Sequence, residues 1–434
     1  MNAILRLAPE LELLAKLEQS QWWAPARIAR AQARQLSLVL RHAHETVPFY
    51  RTRMAKPDAE LRSLPLLTRR DVQDAGTDLH SRKLPATHGR TQVTESSGST
   101  GQPVRVTGSA RSQLFWSALS LREHLWHGRD ADGVLCSIRL DRSGRAKPPH
   151  GAMTRGWGRG IDCLSRNGRM AVLAIGTDVS AQAAWLQRHD PHHLLTFPSN
   201  LLALVEHFER HSLGLPRLKE VRTIGETLLP SVRERVRAIW NVPVTDLYSS
   251  EELGLIAAQC PSGSGLYHIQ SENLLIEVLD DQGRACAPGA VGRVVATTLH
   301  NFAMPLLRYE TRDYAEAGPP CPCGRGLPTL ARILGRKRNM LLLPNGEQRW
   351  PLSGFMHYRD IAPIRQFQLA QLDLERIEVR LVSDRPVTPG EEQRLAAVID
   401  RSLGHPFDLS FVYLDAFPPS AGGKFEEFVS LQSQ

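Results

Sequence analysis

The chain has 434 residues, of which 42% are hydrophobic and 23% are charged, proportions that are typical of a soluble globular protein. This length exceeds one ordinary hydrophobic core, so we expect at least two domains. The sequence has no uninterrupted apolar run of the length that crosses a membrane, and its first residues lack a secretory cleavage site. The expected location is therefore the cytoplasm.

The net charge of +8 comes mainly from scattered arginines, because only seven of the 53 basic residues are lysines. No block of like charges indicates a nucleic-acid or membrane surface, so we expect neither partner. Attraction of an anionic substrate such as a nucleotide explains the basic charge at least as well.

Helical and strand patterns follow one another along the first two thirds of the chain. Residues 1–54 have apolar positions at helical spacing up to Pro48, and a short capped helix follows in LRSLPLLTRRDVQDAG. After Gly108, short runs such as GVLCSIRL and EVRTIGE alternate with helical patterns such as NLLALVEHFERH. This alternation predicts a parallel α/β organisation.

The pattern changes from about residue 267, where shorter strands with turn signals predict an antiparallel or barrel-like portion. Beyond Gly335 the pattern is β-α-β, which indicates a small α+β domain. The predicted fold is therefore α/β. It has a large N-terminal domain (1–334) of parallel α/β subdomains plus a small barrel-like β portion, and a small, mobile α+β C-terminal domain (335–434).

The stretch TESSGSTGQPVRVTG, from Thr94 to Gly108, is a candidate phosphate-binding loop. Its hydroxyl and glycine residues permit a tight bend whose N–H groups and hydroxyls can surround a phosphate. It lacks the lysine of the common phosphate loop, so a flexible polar surface loop remains the alternative. The candidate residues are Ser97, Gly98, Ser99, Thr100 and Gly101.

Four further segments follow this loop in order: TDLYSSEELG, PLLRYETRDY, GRKRNMLLL and PPSAGGKFEEF. Together they resemble the adenylate-forming superfamily, and most closely its phenylacetate–CoA ligase-like branch, over nearly the whole chain. The resemblance implies ATP-dependent activation of a carboxylic acid, aromatic by the pattern of the branch, to an acyl-adenylate and then transfer to coenzyme A. It also implies that SSGSTGQP holds the ATP phosphates without a lysine of its own.

The resemblance implies which residues surround the adenine and the magnesium ion. Tyr248 would lie against the adenine ring, and Glu252 would bind the Mg²⁺ that bridges the ATP phosphates, since hard oxygen ligands suit this ion. Glu251 stands where the family commonly has threonine, and a solvated acidic pair is the alternative. Gly225 and Glu226 resemble the family's glycine–glutamate turn beside the adenine.

Four residues nearer the C-terminus complete the implied site. Asp313 would accept both ribose hydroxyls, a role suited to a two-oxygen acceptor. Arg312 replaces a glycine of the family's pattern, which could change the local turn. Arg336 would contact the nucleotide at the hinge between the domains. Lys424 would stabilise charge between the carboxylate and the α-phosphate. A surface strand end and a solvated tail are the alternatives for Asp313 and Lys424.

The cysteines add a separate observation. Six cysteines in a chain of this size, without a signal peptide, argue against a disulfide framework. Cys260 and His268 in one segment and Cys321 and Cys323 in another can complete a tetrahedral zinc site. Members of the resembled branch can carry a structural zinc in these loops, which supports Zn²⁺ here.

Two other functions stay open at this point. In the first, an amine replaces the thiol as acceptor, which makes the chain an acyl-adenylate amide ligase. In the second, the chain is a non-catalytic, zinc-containing nucleotide-binding protein. The sequence identifies neither the particular small-molecule carboxylic acid nor the oligomeric state, for which a homodimer is one option.

Overall fold

The computed structural model of the chain describes residues 8–95, 103–141, 143–158, 160–165, 167–336, 340–349, 358–417 and 425–431. None of the helices within these ranges is both long enough and apolar enough to cross a membrane.

The described residues contain ten α-helices. They are α1 (Pro9–Ser20), α2 (Pro25–Thr46), α3 (Pro48–Arg53), α4 (Arg69–Ala75), α5 (Ala110–Trp126), α6 (Val179–His189), α7 (Pro198–Arg210), α8 (Pro230–Trp240), α9 (Tyr358–Ile361) and α10 (Pro389–Leu403).

Twenty β-strands lie in the same ranges. They are β1 (Thr91–Glu95), β2 (Arg105–Ser109), β3 (Val134–Arg139), β4 (Ala152–Arg155), β5 (Arg169–Ala174), β6 (His193–Thr196), β7 (Glu220–Ile224), β8 (Val244–Ser250), β9 (Gly254–Gln259), β10 (Tyr267–Ile269), β11 (Leu274–Leu279), β12 (Val291–Thr298), β13 (Tyr309–Ala317), β14 (Thr329–Arg336), β15 (Leu341–Leu342), β16 (Gln348–Arg349), β17 (Ile364–Gln371), β18 (Arg376–Ser383), β19 (Asp408–Tyr413) and β20 (Phe428–Ser430).

Twelve strands form one sheet, in the order β11-β12-β13-β14-β10-β9-β8-β7-β6-β3-β5-β4. Strands β5, β3, β6, β7 and β8 run parallel, and every neighbouring pair from β8 to β11 is antiparallel. The α/β class predicted from the sequence is confirmed. The strands β10 to β14 make up the portion expected to be antiparallel or barrel-like. They are antiparallel to their neighbours and extend the same twelve-stranded sheet.

Helices cover both halves of this sheet. Helices α6, α7 and α8 pack on the parallel half, where α7 and α8 each begin with a proline at the first helical turn. Helices α2, α3 and α4 pack on the antiparallel half, and a capping box at Thr68 and Asp71 fixes the start of α4. In α7, the helical pattern predicted in NLLALVEHFERH buries Leu201, Leu204, Val205 and Phe208 on one face.

A small hairpin, β1 and β2, flanks the candidate phosphate loop. Its strands are antiparallel, and Glu95 lies opposite Arg105. Strand β2 continues directly into α5 through Ser109, whose side chain accepts the N–H of Ser112 in a second capping box. The helix therefore fixes one end of the hairpin.

The C-terminal part forms a separate four-stranded sheet, in the order β19-β18-β17-β20. Helix α10 packs on this sheet, around a core that contains Leu369, Ile377, Leu395 and Phe428. The β-α-β pattern predicted beyond Gly335 corresponds to β18-α10-β19, and β17 and β20 extend it.

Helix α5 contacts the parallel half through a buried charge network. The carboxylate of Glu123 lies 2.7 Å from Arg129 Nη1 and 2.6 Å from Arg222 Nη2, and Glu123 is 1% exposed. Burial alone would raise the pKa of Glu123, but Arg129 and Arg222 lower it below its usual value. Glu123 is therefore ionised at neutral pH.

Two arginines on or beside β13 have positive φ angles, +52° at Arg308 and +68° at Arg312. Arg308 is held there by its side chain, which donates to the carbonyls of Arg62 and Leu64 and pairs with Glu277 at 3.3 Å. Arg312 is exposed and makes no such contact with any described residue. It adopts the left-handed conformation that glycine favours, at the position where the resembled pattern has glycine.

Replacing Glu123 with glutamine should lower the free energy of unfolding by roughly 3–5 kcal/mol, because the buried Arg222 loses its paired carboxylate and Arg129 keeps only Glu220. Since the pKa of Glu123 is depressed in the folded state, its contribution is full above the ordinary glutamate pKa and is lost as the pH falls through the folded value. Urea unfolding followed by tryptophan fluorescence measures both effects.

The matched control is Asp74→Asn, which removes a carboxylate that is 70% exposed and pairs with Arg70 at 3.4 Å. It should change the free energy of unfolding by about 0.5 kcal/mol or less. A similar loss of free energy of unfolding in Glu123→Gln and Asp74→Asn would contradict the stabilising role of the buried network.

Replacing Arg312 with glycine should raise the free energy of unfolding by roughly 0.5–1 kcal/mol, because it relieves a left-handed conformation that no side-chain contact supports. Arg308→Gly should instead destabilise by about 2 kcal/mol or more, since it removes buried hydrogen bonds at a similar φ. Thermal unfolding of both variants measures the difference, and destabilisation by Arg312→Gly would contradict this interpretation.

Candidate active site

The parallel strands β7 and β8 end at the same edge of the large sheet, and several predicted residues lie there. Gly225 and Glu226 follow β7, Tyr248 lies near the end of β8, and Glu252 follows β8 by two residues. Ligands of open α/β sheets bind at the carboxyl ends of parallel strands. The positive φ of Gly225, +78°, provides the turn that directs Glu226 along this edge.

Tyr248 and Asp313 are joined by a hydrogen bond, in which the tyrosine hydroxyl donates to Asp313 Oδ2 at 2.8 Å. Tyr248 is buried, and burial together with the charge of Asp313 raises the pKa of its hydroxyl well above the usual value. The hydroxyl therefore stays protonated and can donate to the carboxylate.

Arg336 completes this group, because it lies directly opposite Asp313 in the β13–β14 register. Its Nε lies 3.8 Å from Asp313 Oδ1, and both side chains are partly exposed, at 31% and 23%. The carboxylate therefore has a hydroxyl at one oxygen and a cation near the other, and it remains open to solvent.

Glu252 has a partner that the sequence analysis did not identify. Arg69 Nη1 lies 3.6 Å from Glu252 Oε1, and the two side chains are only 15% and 11% exposed. Burial, followed by the charge of Glu252, raises the pKa of the adjacent Tyr309. Glu251, by contrast, is exposed, so Glu252 is the acid of the pair that faces the site.

The segment before Arg69 is fastened to β13. The Leu67 N–H donates to the Arg308 carbonyl at 2.9 Å, and the Glu310 N–H donates to the Leu67 carbonyl at 2.9 Å. These bonds bring Arg69 to the site from a distant part of the sequence. The signal available in the sequence was the basic pair that follows Thr68 in LPLLTRRDV.

Glu226 accepts hydrogen bonds from two directions. Its Oε2 accepts the Ser199 N–H at 2.9 Å, and its Oε1 accepts the Ser199 hydroxyl at 3.0 Å. Oε1 also accepts the N–H of Phe425 at 2.9 Å. Ser199 and Phe425 were not identified from the sequence.

Two groups of predicted site residues lie outside the described residues. They are the phosphate-loop candidates and the C-terminal lysine, namely Ser97, Gly98, Ser99, Thr100, Gly101 and Lys424.

The four predicted zinc ligands lie together on the antiparallel half of the sheet. Cys260 follows β9, His268 lies in β10, and Cys321 and Cys323 lie between β13 and β14. Their ligand atoms all lie within 4.8 Å of one another. The Cys260 and Cys321 sulfurs are 3.6 Å apart, and Cys323 Sγ is 3.3 Å from His268 Nε2.

These distances fit a tetrahedral ion better than a disulfide. With zinc bonds of about 2.0–2.3 Å, neighbouring ligand atoms lie about 3.3–3.8 Å apart, whereas a disulfide needs sulfurs about 2 Å apart. Burial, with a smaller effect of Arg325, lowers the pKa of His268 to about 4, so its ring is neutral and offers a lone pair. Burial alone would raise the pKa of Cys260, but hydrogen bonds from Ser262 and Ser264 lower it.

Comparison with known proteins agrees with the resemblance seen in the sequence. The chain is 28% identical to the phenylacetate–coenzyme A ligase of Thermus thermophilus over 358 residues, which are 77% of this chain and 74% of that protein. It is 25% identical to the Escherichia coli phenylacetate–coenzyme A ligase over 438 residues, or 94% of this chain and 96% of that one. No family model matches the chain.

Among solved structures, a 2-hydroxyisobutyryl-CoA ligase in its postadenylation state has the same fold. It superimposes with a TM-score of 0.75 at 17% identity and covers 95% of this chain and 91% of its own. The matches in sequence and in fold therefore agree over most of the molecule. The chain is therefore similar to phenylacetate–coenzyme A ligases in sequence and to an acyl-CoA ligase in fold.

Proposed function

We propose that the chain is an AMP-forming acid–thiol ligase, which activates a carboxylic acid with ATP and transfers the acyl group to coenzyme A. The observation that carries the proposal is that Glu226, Tyr248 and Glu252 lie at the carboxyl ends of β7 and β8, where Tyr248 donates a hydrogen bond to Asp313 of β13. The relatives are phenylacetate–coenzyme A ligases, which supports an aromatic acid as the substrate.

In the first step, a carboxylate oxygen of the acid attacks the α-phosphorus of ATP. The bond from that phosphorus to the bridging oxygen breaks, and pyrophosphate leaves with the electron pair. Asp313, with two acceptor oxygens, would hold the ribose hydroxyls. Tyr248 would support Asp313 and lie against the adenine.

The remaining residues balance negative charge in this step. Glu252 would hold Mg²⁺ through a carboxylate oxygen, and the ion would neutralise charge on the phosphates. Arg69 lies close enough to Glu252 to fix its orientation. Residues Ser97 to Gly101 would bind the phosphates, Arg336 the nucleotide and Lys424 the developing charge.

In the second step, the coenzyme A thiol loses its proton, its sulfur attacks the acyl carbonyl carbon, and AMP leaves. Residues 1–334 would bind the nucleotide, and residues 335–434 would move between the two steps. A homodimer and a cytoplasmic location remain predictions from the sequence.

We also propose that Cys260, His268, Cys321 and Cys323 hold a structural zinc ion. Four protein ligands leave no open position, as is usual for structural zinc. The ion would tie the β9–β10 connection to the β13–β14 connection, beside the strand that carries Asp313.

Acid-dependent exchange of radioactive pyrophosphate into ATP tests the activity. With a panel of aromatic and aliphatic acids, we expect exchange with an aromatic acid and consumption of coenzyme A when it is added. Lys424→Ala should reduce exchange about 100-fold or more, because a cation beside the developing charge is lost. Asp313→Asn should raise KM for ATP about tenfold or more.

The control for Lys424 is Lys219→Ala, since Lys219 is exposed and lies before β7. It should leave exchange unchanged. Absence of exchange with every acid would favour the non-catalytic binding protein, and exchange with acyl transfer to amines but not to coenzyme A would favour the amide ligase. Normal exchange in Lys424→Ala would refute the role of that lysine.

Elemental analysis of the purified protein tests the zinc proposal. We expect about one zinc per chain and nearly none in the double variant Cys321→Ser/Cys323→Ser, because two of four ligands are lost. Removal of the metal by a chelator should lower the unfolding temperature of the native chain and have little effect on the double variant.

Cys286→Ser is the control, because this cysteine lies outside the four-residue cluster and is only partly buried. It should retain the zinc content of the native chain. A native protein without zinc, or a double variant with undiminished zinc, would contradict the proposal.

A further inference from the structure

The hydrogen bond between Phe425 and Glu226 joins the two sheets of the molecule at the candidate active site. Phe425 N–H donates to Glu226 Oε1 at 2.9 Å, although 199 residues separate the two positions. Phe425 directly follows Lys424 in the chain. A contact that fixes the Phe425 amide therefore acts on the segment that carries the candidate catalytic lysine.

Glu226 is well suited to act as a fixed acceptor. Its carboxylate lies at the first turn of α7, where the Ser199 N–H and hydroxyl both donate to it, at 2.9 and 3.0 Å. Hydrogen bonds from N–H groups to an ionised carboxylate are stronger than those between neutral groups. The side chain is thus oriented by the large sheet before Phe425 reaches it.

The donor is equally well fixed on the C-terminal sheet. The Leu369 N–H donates to the Glu427 carbonyl at 2.8 Å, and the Gln368 side-chain amide donates to the Glu426 carbonyl at 2.9 Å. The Phe425 ring packs edge-on against Phe417, with centroids 5.0 Å apart. The bond from Phe425 to Glu226 therefore connects two ordered parts of the protein.

We infer that Glu226 is a positioning residue, which holds Phe425, the neighbour of Lys424 in the sequence, at the edge of the large sheet during adenylate formation. The inference rests on the proposed function for the role of Lys424, but the contact itself is independent of it. A hydrogen bond from a main-chain N–H to a side-chain carboxylate can be broken without unfolding either sheet, so it is compatible with movement of the C-terminal sheet before acyl transfer.

This role differs from the adenine contact that the sequence resemblance implies for Glu226. An adenine contact acts on nucleotide affinity, and its loss is overcome by saturating ATP. A positioning role acts on the rate of adenylate formation at saturating ATP and leaves the transfer of a preformed acyl-adenylate to coenzyme A unaffected. The two half-reactions therefore separate the two roles.

We would measure both half-reactions in Glu226→Ala and Glu226→Gln. In Glu226→Ala, the rate of pyrophosphate exchange at saturating ATP should fall about 10- to 100-fold, as expected for loss of a hydrogen bond to a charged group. KM for ATP should change less than about twofold. Transfer from synthetic acyl-adenylate to coenzyme A should be unchanged, and Glu226→Gln, which retains an acceptor oxygen, should keep most of the exchange rate.

Hydrogen–deuterium exchange at the Phe425 amide provides a readout that does not depend on activity. Exchange should be faster in Glu226→Ala than in the native chain. It should be unaltered in the control Glu234→Ala, which removes an exposed carboxylate from α8.

The outcomes separate this inference from the proposed function. Absence of pyrophosphate exchange in the native chain would overturn the proposed function. Even then, hydrogen–deuterium exchange at the Phe425 amide would still test the contact with Glu226. Unchanged Phe425 exchange in Glu226→Ala overturns the inference. A raised KM for ATP with an unchanged maximal rate also overturns it, in favour of the adenine contact.

Discussion

Two consecutive charged residues of helix α5 connect the two halves of the large sheet. Arg122 donates to Glu272 at 2.8 Å and to Gln270 at 2.6 Å, on the antiparallel half, whereas Glu123 pairs with Arg222 of β7, on the parallel half. Side chains at neighbouring helical positions point about 100° apart, so Arg122 and Glu123 can contact different halves of the sheet. All of these groups are buried or nearly so, and a buried charge is tolerated only when it is paired. The geometry between the halves is therefore tightly constrained.

The candidate active site depends on that constraint, because its residues come from both halves. Tyr248 lies on β8, the last parallel strand, and Asp313 lies on β13 in the antiparallel half. Their hydrogen bond requires the two halves to keep a fixed relation. Helix α5 begins at Ala110, directly after the hairpin that flanks the phosphate-loop candidates, so α5 also positions that hairpin. One helix thus contacts both halves of the sheet and the hairpin.

Two further connections have different mechanical roles. The Cys/His cluster brings together four side chains from β9, β10 and the β13–β14 connection, an arrangement suited to a contact that does not break during the reaction. Among the described residues, the contact between Glu226 and Phe425 is a hydrogen bond from a main-chain N–H to a side-chain carboxylate, which suits a contact that forms and breaks. A two-step reaction needs both kinds, since the nucleotide must stay fixed while the groups around the acyl carbon are exchanged.

The sequence by itself determined the local features: the short capped helix in LRSLPLLTRRDVQDAG, the alternation of strands and helices, and the four-residue step from Tyr248 to Glu252. These depend on neighbouring residues, so periodicity and turn chemistry are enough to predict them. It also predicted that Cys260, His268, Cys321 and Cys323 lie together, because few residue types serve as zinc ligands. Only the tertiary structure decided that Arg69 lies beside Glu252, that Tyr248 donates to Asp313, and that Phe425 reaches Glu226. These pairs depend on strand order and register in the assembled sheets, which no local sequence pattern specifies.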